Sequence, residues 1–202
     1  MEDKIKINSD FNDYKRYFLE ENAKHNLISK NDEKYLFEKH IYDSLGIKLF
    51  FEKYDIKNVK ILDIGCGGGF PCLPIAIEYP NLNILGIDSI HKKINSVQNI
   101  SEKLGLKNLD LICDRVENLM NNEFDIVVSR AVADMAKISG YALPLLKKGG
   151  YFIAYKSKKA LDELKEAETI LKQYSAKVVD IIEYKLPLEE IYQRNLICVQ
   201  KN

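Results

Sequence analysis

A chain of 202 residues is long enough for one well-cored domain with a modest extension and short for two ordinary domains. Its 46% hydrophobic and 30% charged residues are globular values, and thirty basic residues balance thirty acidic ones, which argues against indiscriminate nucleic-acid binding. No stretch approaches the roughly 20 apolar residues of a membrane helix. The first residues, Met-Glu-Asp-Lys-Ile-Lys, lack the apolar centre of an export signal, and the four cysteines show neither paired nor zinc-like spacing. A cytoplasmic protein without membrane span or metal is expected, with the cysteines as small apolar residues.

Residues 1 to about 57 read as helical. Phe11, Tyr14, Tyr17 and Phe18 recur at helical spacing, and Tyr35, Leu36, Ile41, Leu45 and Leu49 can share a broad apolar face of a second helical stretch. Between them "HNLISKNDE" is a turn-rich connection, with Ser29 or Asn31 as helix cap. From Val59 onward short apolar runs alternate with helical segments: "VKILDIG", "NILGID", "LDLIC", "FDIVVS" and "GGYFIAYKS". This is the pattern of βα units and a parallel sheet covered on both faces. After the amphipathic helix "LDELKEAETILKQY" come two more strands, "AKVVDIIEYKL" and "RNLICVQK", joined by "PLEEIYQ". That link is too short for a crossover helix, so these two strands are expected to be antiparallel. The expected arrangement is a helical extension, 1–57, packed on an α/β core, 58–202.

The segment "ILDIGCGGGFP" places four glycines in five positions directly after an apolar strand. Such a loop presents bare backbone N–H groups at the carboxyl edge of the sheet, where open α/β sheets bind ligands. A dinucleotide, a nucleoside and a phosphate all fit at this level. Counting from Gly65 and Gly67, the third position of a dinucleotide fingerprint is the bulky Phe70, and no Gly-Lys-Ser/Thr of a Walker loop follows. Pro71 suits the first turn of the helix that follows. Nineteen residues past Gly69, Asp88 ends the second strand, placed to accept hydroxyls of a ribose or to cap the next helix. The combination of Asp63-x-Gly65-x-Gly67-x-Gly69 with Asp88 favours S-adenosyl-L-methionine.

At this point the chain resembles the class I methyltransferases, and more narrowly the GidB/RsmG family of bacterial 16S rRNA guanine-N7 methyltransferases. The resemblance rests on "NLIS", "KHIYDSL", "DIGCGGGFPCLPIAI", "IDSIHKK", "RVENL", "SRAVA", "AYKS" and "RNLICV", which together cover nearly the whole chain. It implies a Rossmann-like, mostly parallel seven-stranded sheet with an antiparallel last strand and helices on both faces. It implies cofactor contacts at Gly65, Phe70, Val116, Glu117 and Arg130, to which the glycine and ribose arguments add Gly67 and Asp88. The chain departs from the family pattern at Cys72, Ser157 and Asn195, the last two bearing on substrate contacts.

Guanine N7 carries a lone pair and no proton, so its methylation calls for alignment and water exclusion rather than a general base. No catalytic acid or base is therefore assigned; Arg130 is the candidate for positioning a carboxylate or phosphate with its planar fork. His40 and Asp43 are expected in a lid over the pocket. From Ser129 to Lys159 seven basic residues face one acid, so Lys147, Lys148, Lys156 and Lys158 are expected to meet the backbone of 16S rRNA in the small subunit or its precursor. The target base is expected to be unstacked or flipped, and the protein to act as a monomer. Alternatives are a methyltransferase for another RNA or a small molecule, and a non-catalytic module that binds S-adenosylmethionine or RNA.

Overall fold

The computed structural model describes residues 5–119, 123–157, 160–190 and 192–202. Helix α1 (Asn12–His25) is followed by a single turn, α2 (Lys30–Glu33), which Ser29 caps by accepting from the Asp32 amide. A π-helical segment, Leu36–Tyr42, and α3 (Ile47–Tyr54) complete the helical part. The core then runs β1 (Lys60–Ile64), α4 (Cys72–Glu78), β2 (Asn83–Asp88), α5 (His91–Lys103), β3 (Leu109–Cys113), a short turn of 3-10 helix (Val116–Asn118) and β4 (Phe124–Arg130). It closes with α6 (Met135–Leu145), β5 (Leu146–Ser157), α7 (Ala160–Gln173), β6 (Ala176–Lys185) and β7 (Gln193–Lys201).

The seven strands form one sheet in the order β3-β2-β1-β4-β5-β7-β6. β1 to β5 pair in parallel, while β7 runs antiparallel to both β5 and β6. This is the expected class I methyltransferase architecture, including the reversed last strand. The reason for apolar runs rather than alternation is visible in the core. Neighbouring residues such as Ile61 and Leu62, Val128 and Val127, Ile153 and Phe152 are all buried but belong to different apolar clusters, one on each face of the sheet.

One cluster is built by α6 and α7, with Met135, Ile138 and Leu171. The other joins α4 and α5 to the N-terminal helices. There Phe11, Tyr14, Phe18, Leu36, Ile41 and Phe50 share a single buried cluster with Ile61, Val128 and Leu196. The chain start is fastened as well: the amides of Asn8 and Ser9 each donate to the Glu78 carboxylate at 3.0 Å, and the buried Lys48 ammonium pairs with the same group.

Candidate functional site

The glycine loop follows from the local demands of its backbone. Leaving β1, the chain turns so that the amides of Gly65 and Cys66 both donate to the Ile87 carbonyl at 2.8 and 3.1 Å, which ties the loop to the end of β2. Gly65 has φ +69, and a Cβ there would lie 2.5 Å from Val132 Cγ2; Gly69 has φ +90, and a Cβ would lie 2.4 Å from Leu73 Cδ1. Side chains at these positions are excluded both by backbone strain and by contact. Buried Asp63 fixes the far end of the loop, accepting from the Cys72 amide at 3.0 Å, while its other oxygen has no partner among the described residues. Burial pushes this carboxyl up to about 7, against the opposing effect of the Cys72 hydrogen bonds.

Above the loop, at the carboxyl ends of β1, β2 and β4, lies a cavity of ≈ 650 Å³. Gly65, Gly67, Phe70, Asp88, Val116, Glu117, Arg130 and His40 all line it. Asp88 also serves the fold: its two oxygens accept from the amides of Gly67 and Ile90, each at 2.9 Å. The two readings of Asp88 thus coexist, because a carboxylate with two such bonds retains free lone pairs for a further donor. Phe70 is likewise both core and lining. It is buried, its ring centroid lies 5.1 Å from Phe18 and 4.9 Å from His40, and the Arg130 guanidinium sits 5.0 Å above it.

Arg130, the last residue of β4, is held rather than free. Its Nη1 donates to the Lys39 carbonyl at 3.1 Å and to Asp43 Oδ2 at 3.0 Å, and its Nη2 meets His40 Nδ1 at 2.9 Å. A guanidinium only donates, so His40 Nδ1 is the acceptor and the ring proton sits on Nε2. Burial first, and then the neighbouring Arg130 charge, lower the His40 pKa to about 4, which keeps the ring neutral at pH 7. Its Nε2 is buried with no partner among the described residues.

Three expectations are corrected. Asp43 does not face a substrate: it is 2% exposed and holds Arg130, Arg194 Nε and Nη2 at 2.9 and 3.1 Å, and the Tyr184 hydroxyl at 2.7 Å. Burial pushes its carboxyl up, but the Arg194 and Arg130 guanidiniums outweigh that and hold it below the ordinary range. The basic run, secondly, is not one surface. Lys147 pairs with Asp125 at 2.7 Å, beside the Lys60 amide at the start of β1, so it and the exposed Lys148 lie at the opposite end of the sheet from the cavity. Lys156, at the cavity end, is turned inward, its ammonium donating to the Ala133 carbonyl at 2.6 Å and to Glu163 at 2.7 Å. Lys158 lies outside the described residues. Thirdly, Asn195 is 1% exposed and its side-chain amide donates to the Ser157 carbonyl at 3.3 Å, so Asn195 is turned into the sheet, while Ser157 itself is exposed.

Sequence reasoning placed none of Leu27, Ile28, Ser29, Lys93, Arg115 or Tyr141 at the cavity, which all of them line. The first three stood in the quoted "NLIS"; Tyr141 carried no signal, since an aromatic on an apolar helix face reads as core. Among the described residues no group of His, Cys, Asp and Glu side chains is placed to hold a metal, and no helix is long and apolar enough to cross a membrane.

The family model described as rRNA small subunit methyltransferase G matches residues 7–196. The chain belongs to the GidB family. It is 38% identical over 195 residues to the ribosomal RNA small subunit methyltransferase G of Staphylococcus saprophyticus, covering 95% of this chain and 80% of that protein. The protein of the same name from Lachnoclostridium phytofermentans is 39% identical over 197 residues, covering 95% and 80%. Among solved structures, magnesium protoporphyrin IX methyltransferase of Synechocystis PCC 6803 with bound SAM superposes with a TM-score of 0.60 at 15% identity, covering 77% of this chain and 76% of that one. That last likeness carries the fold alone. Membership of the GidB family rests on the sequence relatives, which match the helical part as well as the α/β core.

Proposed function

We propose that this GidB-family chain transfers a methyl group from S-adenosylmethionine to N7 of a guanine in small-subunit (16S) rRNA. The observation that carries the reading is the cavity at the carboxyl edge, where the glycine loop, Asp88, Glu117 and Arg130 converge in a member of this family. Its ≈ 650 Å³ suits a nucleoside-sized ligand. The lining fits the cofactor chemically: backbone amides offer donors, while Asp88 and Glu117 offer acceptors for hydroxyl groups. Gly65 and Gly67 would seat it through their backbone, Val116 and Phe70 would wall its base, and Arg130 would hold a carboxylate with the N–H groups that Asp43 and His40 leave free.

When bound, S-adenosylmethionine supplies an electrophilic methyl on a positively charged sulfur. The residues around it need not take a proton, because guanine N7 presents a lone pair. His40 agrees with that requirement, since its only basic nitrogen is engaged by Arg130. Asp43 offsets one of the two guanidinium charges beside the site, reducing their opposition to a cationic sulfur. What remains for the chain is to hold the reactants in line and keep water out. Lys93 and Arg115, which line the cavity mouth, replace the Lys147 to Lys158 run as the cations nearest an incoming phosphate. Action as a cytoplasmic monomer belongs to the same reading.

Mass spectrometry of small-subunit rRNA from cells with and without the protein tests this. The expected result is loss of a single 7-methylguanosine, restored by the wild-type chain; persistence of every such nucleoside in the null strain overturns the proposal.

A further inference from the structure

Tyr184, in the edge strand β6, does not line the main cavity, yet it is bonded to the group that holds Arg130. The hydrogen bonds received by the Asp43 carboxylate divide evenly between its oxygens. Oδ1 accepts from the Tyr184 hydroxyl at 2.7 Å and from Arg194 Nε at 2.9 Å, while Oδ2 accepts from Arg194 Nη2 at 3.1 Å and from Arg130 Nη1 at 3.0 Å. The acceptor positions of both oxygens are thereby filled. Burial first, and then the Asp43 charge, push the Tyr184 hydroxyl well above its ordinary range, so it stays a donor.

The phenol ring is seated by the absence of a side chain. A Cβ on Gly46 would lie 2.8 Å from both Cζ and Oη of Tyr184, although the Gly46 backbone, at φ -50, is open to any residue. Arg130 depends on the anchor that results. Its Nη1 is occupied by the Lys39 carbonyl and Asp43, and its Nη2 gives one N–H to His40. The Nε–H and the second Nη2–H have no partner among the described residues. A planar fork turns as one body, so the direction of these two groups follows the place of Asp43 Oδ2. Both carboxylate oxygens share one plane, so the bonds on Oδ1 fix Oδ2. Without the Tyr184 hydroxyl, Oδ1 would keep Arg194 alone, and the carboxylate could tilt.

Resting on the cofactor contact proposed above for Arg130, we infer that Tyr184 is a positioning residue of the reaction. By completing the acceptor set of Asp43, it fixes the direction in which Arg130 presents its remaining N–H groups to the cofactor carboxylate.

The test compares wild type with Tyr184→Phe, which keeps the ring, and Gly46→Ala, which displaces the hydroxyl. Tyr155→Phe is the control: Tyr155 is also buried and donates to the neighbouring Ser44 carbonyl at 2.6 Å, so its loss removes a similar bond without touching Asp43. Calorimetry uses S-adenosylhomocysteine, and methylthioadenosine, which lacks the carboxylate. Tyr184→Phe and Gly46→Ala are expected to weaken S-adenosylhomocysteine about 5-fold or more, as when the competent orientation is held about a fifth of the time, and to leave methylthioadenosine within about 2-fold. Tyr155→Phe should leave both within about 2-fold. In NMR of protein carrying isotope-labelled arginine, rotation of the Arg130 guanidinium should be slow in wild type and Tyr155→Phe, and faster in Tyr184→Phe.

An unchanged Arg130 signal in Tyr184→Phe overturns the inference, and so does an equal loss of both ligands. Arg130→Lys separates this failure from that of the proposed contact. Where it leaves S-adenosylhomocysteine binding as in wild type, the carboxylate contact itself fails, and the Arg130 signal alone decides whether Tyr184 positions it. Where Arg130→Lys does weaken binding, an unchanged affinity in Tyr184→Phe overturns the inference.

Discussion

Asp63 shows how one side chain can serve the site without entering it. It lies wholly buried in β1, does not line the cavity, and anchors the start of α4 through the Cys72 amide. Its pKa, raised to about 7 by burial, sets the sign of a pH effect. Between the unfolded value, about 3.9, and about 7, the folded state keeps a proton that the unfolded state releases, so this group's contribution to stability falls as pH rises through that window and is level above it. Asp63→Asn keeps an acceptor for the Cys72 amide and removes the titration. Urea unfolding should therefore show the variant gaining on wild type by about 2–3 kcal/mol between pH 5 and pH 8. A constant difference across that range contradicts the assignment. The role of Asp63 was half legible: its place before the glycines was plain, but desolvation depends on packing from α4 that no local spacing reports.

Among the elements, β5 explains the main error in reading the basic run. Lys147 and Lys156 belong to the same strand, but Leu146 pairs with Phe124 at the start of β4 and Tyr155 with Arg130 at its end, so the two lysines lie toward opposite ends of it. Proximity in sequence thus became separation across the sheet, with Lys147 beside Asp125 and Lys156 bound to Ala133 and Glu163. The loop that Lys156 secures follows β4, contains Ala131 at φ +57, and sets Val132 against Gly65. Lys156→Met is expected to lower kcat about 10-fold or more by loosening that wall. It should leave the salt dependence of RNA binding as in wild type, whereas a phosphate contact would reduce the slope by about one. The pair Lys147→Glu/Lys148→Glu should keep KM for rRNA within about 2-fold. The strands were legible because buried parallel strands are unbroken apolar runs with polar ends. The π-helical turn at Leu36–Tyr42 was not, since one extra residue per turn leaves the apolar spacing looking like an ordinary helix.

For the molecule as a whole, the N-terminal helices are part of the core that supports the sheet. Phe18, Ile41 and Phe50 are each 0% exposed and share their cluster with Ile61 and Leu196. Unfolding by denaturant is expected to be a single transition, the same when followed by far-ultraviolet dichroism and by tyrosine fluorescence. A chain beginning at residue 58 would expose that face and is expected to be insoluble. Two separated transitions, or a soluble and cooperatively folded 58–202 fragment, would instead mark the helical part as an independent unit. A boundary near residue 57 could be seen in the sequence as a change of periodicity; the shared interior could not, because it is formed by pairs distant in sequence, such as Phe18 with Phe70 and Phe50 with Tyr151.

The carboxylate of Asp43 in the helical part gathers Arg130 from the end of β4 and Arg194 from β7. During synthesis the helical part and the glycine loop emerge long before Arg194 does. The wall beside Phe70 can reach its finished form only once β7 has slotted between β5 and β6. A chain whose synthesis has not yet passed β7 therefore lacks a completed pocket, and competence to bind is withheld until that strand is made.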